Sequence, residues 1–249
     1  MALLSKLSAV AFIIAIPVFL MTSNVRFFAS ETRFYERGFR QNNSAAITGV
    51  SLPELDRAAT ELANYFENDA PLLSTTVQID GAEAPLYNDR EIAHMKDVKT
   101  LMRFVYRLNE FSLAVVITYI TCVYLWAREK SLRTLAAQAL AGVGVGFAAL
   151  GFVGVFAITG FDAAWTKFHK LVFNNDLWIL DPSRDHLIQM FPEPFWQEST
   201  YIIGALTLIE VALIVGVALA YLVGTRQRQG SALLGSPQMR AAGDESTAG

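Results

Sequence analysis

The sequence predicts an all-α integral membrane protein with about four transmembrane helices and a small α+β insertion on the extracytoplasmic side. Of its 249 residues, 53% are apolar and only 17% are charged, which is unusual for a soluble globular domain. Four apolar stretches are long enough to cross a hydrocarbon layer about 30 Å thick at about 1.5 Å per residue. They cover residues 7–25, 111–127, 134–161 and 201–225.

The first stretch, Leu7 to Val25, has the composition of either a signal peptide or a retained helix. No small-residue cleavage site follows it, and Arg26, Phe27 and Phe28 are typical of an interfacial anchor. We therefore expect a retained transmembrane helix.

Basic residues predict the orientation in the membrane. They cluster in the short link between the second and third stretches and after the fourth, at Arg128, Lys130, Arg133, Arg226 and Arg228. Because cytoplasmic loops are enriched in Lys and Arg, both termini are predicted to be cytoplasmic, with outer loops at about 26–108 and 162–199. We expect an integral membrane domain over residues 1–228 and a disordered cytoplasmic tail over 229–249.

The first outer loop contains local patterns of regular structure. Ser51 and Glu54 form a capping-box pattern before a short amphipathic helix. The apolar residues of that helix are Leu55, Ala58, Leu62 and Phe66. Residues 75–79 and 84–87 flank Asp80 and Gly81, which predicts a small hairpin.

Residues 89–108 have a helical pattern with a basic side and an apolar side. Lys96, Lys99, Arg103 and Arg107 fall on one side, and His94 projects with the apolar residues opposite. This pattern predicts a helix that lies in the membrane interface. An upright helix would raise His94 about 25 Å above Phe111, so the prediction requires a bend near Asn109 and Glu110.

The second outer loop is rich in Phe and Trp. Asp181 followed by Pro182 predicts a helix N-terminus, with a short helix to Met190 and a stop at Pro192 and Pro194.

Several classes of function are excluded by composition and motif. A formal charge of −3 without a basic block does not favour a nucleic-acid partner. The single cysteine, Cys122, cannot form an internal disulfide, and we interpret it as a packing residue. Hydrolase and Walker motifs are absent. Gly142, Gly144 and Gly146 lie in an apolar stretch, which favours helix packing over nucleotide binding.

The three histidines, His94, His169 and His186, all fall in the predicted outer loops. Histidine is the side chain best suited to proton transfer near neutral pH. Three imidazoles with a carboxylate could instead hold a metal ion, the candidates being Asp97, Asp162, Asp181 and Asp185. No dense ligand spacing such as HExxH occurs, so no metal site and no cofactor are predicted.

Two segments, YNDREIAHMKDVKTL and FHKLVFNNDLWILDPSRDHLIQMFP, resemble the lipoprotein intramolecular transacylase (Lit) family of bacterial membrane proteins. The resemblance covers most of the chain. It implies an enzyme of the cytoplasmic membrane that moves the sn-2 acyl chain of a lipoprotein's diacylglyceryl group to the α-amine of the N-terminal cysteine. The product is a lyso-form lipoprotein, and the implied partners are the lipidated N-terminus and membrane lipid.

The resemblance also implies roles for individual residues. His94 and His169 match the family's catalytic histidines, and Asp97, Trp178 and Asp185 match residues that support them. His186 has no counterpart.

Two other classes of function remain open. Glu210 interrupts the last apolar stretch, and an ionisable residue within a span is by default a functional hypothesis. The chain could therefore be a transporter or channel component that uses Glu210, or a non-catalytic membrane scaffold. The acyltransferase needs the outer histidines, the transporter needs Glu210, and the scaffold needs neither.

Overall fold

The computed structural model describes residues 2–79, 81–126 and 130–234. Its elements in chain order are α1 (Ala2–Ser30), α2 (Thr32–Gln41), α3 (Ser44–Thr48), α4 (Leu52–Glu67), β1 (Thr76–Ile79), β2 (Ala82–Pro85), α5 (Asp89–Trp126), α6 (Lys130–Thr159), α7 (Phe161–Val172), α8 (His186–Met190) and α9 (Glu193–Leu234). Over these residues the chain is mostly helical, with one small two-stranded sheet, as the composition and patterning predict.

Three helices are long and apolar enough to cross a membrane. Within the described residues these candidate spans are Leu3–Ser30, Asp89–Leu125 and Glu193–Gln227. In α6, residues 132–148 form a shorter apolar helix, so the count of four spans stays a prediction. Helix α1 is the centre of the bundle and packs against α5, α6 and α9.

Glycines allow α1 and α6 to pack closely. A Cβ atom on Gly142 would lie 2.7 Å from the Ile13 carbonyl oxygen, and one on Gly146 would lie 2.9 Å from Cβ of Pro17. Pro17 has no N–H to donate to Ile13, so this carbonyl is free to face the Gly142 backbone. The predicted packing role is confirmed for these two glycines, whereas a Cβ on Gly144 would meet nothing within 4 Å.

Amide side chains join α1 to its neighbours inside the bundle. Asn109 on α5 donates to Oγ1 of Thr22 at 3.1 Å and also to Ser23. Asn24 on α1 donates to Oγ1 of Thr207 at 3.0 Å and to Oε2 of Glu210 at 2.9 Å. The Glu210 carboxyl group is therefore hydrogen-bonded across two helices, which reduces the cost of burying it.

The bend predicted near Asn109 is wrong, because α5 is one unbroken helix of 38 residues. The polar residues at this point stabilise the helix in the bundle instead of ending it. Asn109 bonds to α1 as described, and Glu110 accepts from Arg26 Nη1 at 3.1 Å.

The outer half of α5 does not lie in the membrane interface as predicted, since its apolar side is covered by protein. Met95 and Met102 are buried in a cluster with α2, α4 and the second outer loop. On the basic side, Lys99 is only 5% exposed. Its Nζ donates to the Ala70 carbonyl oxygen at 2.7 Å and to Oδ1 of Asn68 at 3.1 Å. Lys99 thus caps the end of α4 rather than binding lipid headgroups.

The predicted helix and hairpin of the first outer loop are confirmed. Leu55, Ala58, Leu62 and Phe66 of α4 are all buried, and β1 pairs with β2 in antiparallel register, Val77 opposite Ala84. Gly81 in the turn has φ +79°, which glycine adopts without steric cost. Asp80 lies outside the described residues.

Two details of the predicted helix ends are corrected. The Ser51 side chain makes no cap hydrogen bond, and the Glu54 carboxylate, the other half of the capping box, pairs with Arg57 and accepts from the Gln78 amide instead. In the second outer loop, Asp181 forms a turn by accepting from Ser183, and the helix begins only after Asp185.

Three helices, α2, α3 and α7, were not predicted. At the other end, α9 continues to Leu234. The remainder of the predicted disordered tail, residues 235–249, lies outside the described residues.

Candidate active site

One stripe of α5 faces the second outer loop. Arg90, His94 and Asp97 are spaced i, i+4 and i+7, so they share a helix face. Arg90 donates through Nη2 to the Asp176 carbonyl oxygen, and Asp97 Oδ2 accepts from Asn175 Nδ2 at 2.9 Å. The loop is therefore tied to α5 on either side of His94.

His94 and His169 lie next to each other although they are 75 positions apart in the chain. Their ring centroids are 6.2 Å apart at an interplanar angle of 36°. Both are buried, with exposed fractions of 6% and 7%. The structure thus brings together the two histidines that the sequence motifs select.

The two imidazoles have different surroundings. Nδ1 of His169 is 2.8 Å from the Trp165 carbonyl oxygen. A carbonyl can only accept, so Nδ1 carries the proton and the neutral ring keeps a lone pair on Nε2. Nδ1 of His94 is buried with no hydrogen-bond partner among the described residues. Nε2 is therefore the His94 nitrogen that can exchange a proton with a substrate.

Aromatic rings enclose His169. Its ring centroid lies 4.7 Å from Trp165, 5.0 Å from Trp178, 5.3 Å from Phe168 and 5.6 Å from Phe173. Burial among these rings lowers the pKa of His169 below its usual value, and the hydrogen bond to Trp165 opposes this shift only partly. His169 is therefore neutral at pH 7 and able to accept a proton.

The three supporting residues that the resemblance implies lie in different places. Trp178 contacts His169 directly, and Asp97 lies one turn beyond His94. Asp185 instead holds a loop in place. Asp185 is fully buried. Its carboxylate accepts from Asn88 Nδ2 at 2.9 Å and from the Asp181 amide at 2.7 Å. These bonds hold the second outer loop against the start of α5.

Glu91 is a buried carboxylate that the sequence reasoning missed. It is 1% exposed and accepts from the Leu187 amide at 2.6 Å and the Asn88 amide at 2.8 Å. Its position three residues before His94 was the available signal. Glu91 fixes the loop that carries Asp185 onto the helix that carries His94.

His186 has a structural bond of its own. Its Nδ1 lies 2.5 Å from the Leu86 carbonyl oxygen, so it links α8 to the end of the hairpin. Across the described part of the chain, no group of three His, Cys, Asp or Glu side chains is arranged to hold a metal ion. The chemistry that this site offers is proton transfer by two imidazoles in an apolar enclosure.

Comparisons with known proteins identify the family. The family "Lipoprotein intramolecular transacylase Lit" matches residues 10–196. An uncharacterized protein of Aquifex aeolicus (strain VF5) is 28% identical over 123 residues. That match covers 49% of this chain and 52% of the relative, so the chain spans about half the length of the curated relative it matches.

The fold is similar to solved structures of the membrane-integral lipoprotein intramolecular transacylase Lit from Bacillus cereus. One has a TM-score of 0.71 at 17% identity and covers 92% of this chain and 100% of that chain. A second, with one histidine of that protein changed to arginine, has a TM-score of 0.69 at 18% identity and covers 92% and 96%. With the family match over residues 10–196, the chain belongs to the lipoprotein intramolecular transacylase family.

Proposed function

We propose that this protein is an acyltransferase of the bacterial cytoplasmic membrane that acts at the outer face. It moves the sn-2 acyl chain of a lipoprotein's diacylglyceryl group to the α-amine of the same N-terminal cysteine. The observation that carries this proposal is the buried contact between His94 and His169, at 6.2 Å between ring centroids. Its substrate is the diacylglyceryl-modified lipoprotein N-terminus, presented in membrane lipid.

The reaction is an exchange of one acyl bond for another. An α-amine with a pKa of about 7.7 to 8.0 is partly neutral near pH 7, so its nitrogen can attack the sn-2 ester carbonyl without an enzyme-bound nucleophile. The amide C–N bond forms and the ester C–O bond breaks. One proton leaves the nitrogen and one reaches the departing glycerol oxygen, so the enzyme returns to its starting state.

The two histidines divide this proton transfer. His169 accepts the proton of the attacking amine at Nε2, because its Nδ1 proton is held by Trp165. His94, whose Nδ1 is buried without a partner among the described residues, takes this proton from His169 at Nε2 and delivers it from there to the glycerol oxygen, so both rings end as they began. Each transfer of this kind contributes about 10² to 10⁴ in rate. Asp97 and Trp178 act as supporting residues by keeping the two rings in place.

The aromatic enclosure favours the amine over water. Trp165, Phe168, Phe173 and Trp178 surround His169, and an apolar wall limits hydrolysis of the same ester. Amine and ester belong to one molecule, so correct orientation supplies a further part of the rate.

The membrane arrangement that suits this reaction has four spans, α1, α5, α6 and α9, and both termini in the cytoplasm. Single cysteines in a Cys122→Ser background test it. A cysteine at Ser183, an exposed residue of the second outer loop, should react with an impermeant maleimide in intact cells, and one at Lys6 should not. The reverse pattern would invert the topology.

The activity is tested by expressing the protein in a host whose lipoproteins have a free α-amine. Mass spectrometry of the N-terminal lipopeptides should show an unchanged total mass, an amide-linked acyl chain on cysteine and one remaining ester. A gain of one acyl chain would mean transfer from phospholipid, and a loss would mean a lipase. Unchanged diacylglyceryl lipopeptide, with the protein present in the membrane, would refute the proposal.

Variants assign the reaction to the site. His94→Ala and His169→Ala should each lower activity by at least about 10², the contribution of one acid–base group. His186→Ala and Glu210→Gln are the controls, because these residues bond to Leu86 and Asn24. If Glu210→Gln abolished a phenotype that His94→Ala left intact, the transporter hypothesis would replace this one.

A further inference from the structure

Helix α7 has an apolar arc that protein covers only in part. At 100° per residue, Phe161, Trp165, Phe168, Leu171 and Val172 fall within about 120° of one another. Phe161 is buried, and Trp165 and Val172 are half-buried. Phe168, at the centre of the arc, and Leu171, at one edge of it, are 40% and 85% exposed. Two large apolar side chains thus project from the helix that carries a site histidine.

His169 lies at the boundary between the two sides of α7. It is about 40° around the helix from Trp165, toward the polar side. The polar side itself consists of residues such as Asp162, Thr166 and Lys170. When an amphipathic helix lies in a membrane interface, residues at this boundary stand at the level where acyl chains meet polar headgroups. Lipid esters occur at that level.

The outermost charged residues of the bundle begin closer to its middle on α1 than on α9. Asn24 and Thr207 are hydrogen-bonded and define a common level. Toward the outer side, the first charged residue on α1 is Arg26, two residues or about 3 Å higher, at about 1.5 Å per residue. On α9 it is Glu198, nine residues or about 13 Å higher. The uncharged surface therefore reaches about 10 Å further on the α9 side.

Helix α7 stands at the top of this higher apolar surface. The Trp165 ring stacks on Trp196 of α9 with centroids 4.9 Å apart. Helix α7 also follows α6 after only one residue, Gly160, so it starts where the proposed fourth span ends. Aromatic residues at such positions are typical of the membrane–water interface.

We propose that α7 is an interfacial helix whose exposed side chains, Phe168 and Leu171, enter the outer leaflet, so that lipid reaches the histidine pair from the α7–α9 side. The occupant of this exposed surface is the acyl-chain region of the surrounding bilayer. The membrane contact rests on the geometry of α7, and its catalytic consequence rests on the proposed acyl transfer. The interfacial position of α7 explains how His94, on the outer half of an upright α5, can meet a lipid ester.

An environment-sensitive fluorophore tests the membrane contact without measuring activity. In a Cys122→Ser background, the label is placed at Leu171→Cys or, as control, at Leu72→Cys in the first outer loop, where the side chain is 50% exposed. The labelled proteins are reconstituted in vesicles of phosphatidylcholine and phosphatidylglycerol, with or without a phospholipid that carries a spin label near its ester groups.

The label at position 171 should emit at shorter wavelength than the label at 72 and be quenched several-fold more strongly by the spin-labelled lipid. Equal emission and equal quenching at the two positions would refute the interfacial helix, whatever the outcome of the lipopeptide assay. Strong quenching at position 171 in a protein that leaves lipopeptides unchanged would support the membrane contact. In that case only the proposed acyl transfer would be rejected.

A charged substitution tests the route of the substrate. Leu171→Asp should reduce activity on vesicle-presented lipopeptide about tenfold or more, the size expected when a leucine side chain loses its burial. With detergent-dispersed lipopeptide it should remain close to wild type, and Leu72→Asp should match wild type in both assays. An equal loss in vesicles and in detergent would contradict the proposed route.

Discussion

The outer half of α5 and helix α7 have similar sequence patterns and different surroundings. Each is amphipathic, each has lysines on its polar side, and each carries one histidine of the pair. The apolar side of α5 packs inside the outer cluster, where Met95 is 4% exposed, whereas Leu171 of α7 is 85% exposed. An amphipathic pattern therefore predicts that a helix has an apolar partner without specifying whether that partner is protein or lipid.

The basic residues show the same ambiguity. On α5, Lys99 lies over the Tyr65 ring at 3.9 Å, and Arg103 donates to the Asn68 carbonyl oxygen at 2.7 Å. Both thus bind the C-terminal end of α4, where cations are favoured by the helix dipole. Two of the four residues in a basic row that resembles a headgroup-binding surface thus form a contact between two helices, while Lys96 and Arg107 remain exposed.

The largest expected difference between the two helices is in their tolerance of charge on the apolar side. Met102→Asp would bury a carboxylate at a position that is 9% exposed, and we expect a loss of about 3 kcal/mol or more in the free energy of unfolding. Leu171→Asp should change it by less than about 0.5 kcal/mol in detergent. Chemical or thermal unfolding of the two purified variants measures both. Similar losses would mean that α7 is covered in the same way as α5.

Glu91 should matter both for stability and for the geometry of the site. Glu91→Ala leaves the Leu187 and Asn88 amides without their acceptor, which should cost about 1–3 kcal/mol and lower the rate of acyl transfer. The matched control is Asp69→Ala, whose carboxylate is fully exposed. If Glu91→Ala were as stable and active as the control, the second outer loop would not depend on this anchor.

A lysine substitution measures the contact between α5 and α4. Lys99→Met keeps the aliphatic part of the side chain and removes the bonds to Asn68 and Ala70, so we expect a loss of about 1–2 kcal/mol. Lys96→Met, three residues earlier and exposed, should stay within about 0.5 kcal/mol of wild type. Equal stability of the two variants in urea titrations would show that Lys99 is not a cap.

The smallest effect concerns the buried side of α7 and depends on pH. Because burial lowers the pKa of His169, the unfolded chain takes up a proton at a higher pH than the folded protein. The free energy of unfolding should therefore fall as the pH drops below about 6.5, the usual pKa of histidine. Above that pH the histidine is neutral in both states, so it causes no loss of stability. The wild-type melting temperature should decline more steeply than that of His169→Gln between about pH 6.5 and 5. Parallel curves would mean that His169 is not protected by burial.

Much of the architecture was predictable because its signals are local. Alternation of apolar and polar residues predicts α4 and the hairpin, and three of the four long apolar stretches lie in helices that meet the length and composition of a span. The sequence motifs selected His94 and His169 before any contact was known. Helix α2 has such a signal as well, because its buried residues Tyr35, Gly38 and Phe39 follow i, i+3 and i+4 spacing, whereas α3, with five residues, is too short to show one.

The sequence by itself determined the class of the protein, its long helices and the two histidines, since composition, periodicity and motif are properties of neighbouring residues. Only the tertiary structure decided that α5 is unbroken, that Lys99 caps α4 and that Glu91 anchors a loop. The contacts responsible join residues that are far apart in the chain, such as Lys99 with Ala70 and Glu91 with Leu187. A side chain's partner across such a distance depends on how the helices pack, and the local pattern around Lys99 is equally compatible with a lipid headgroup and with the end of another helix.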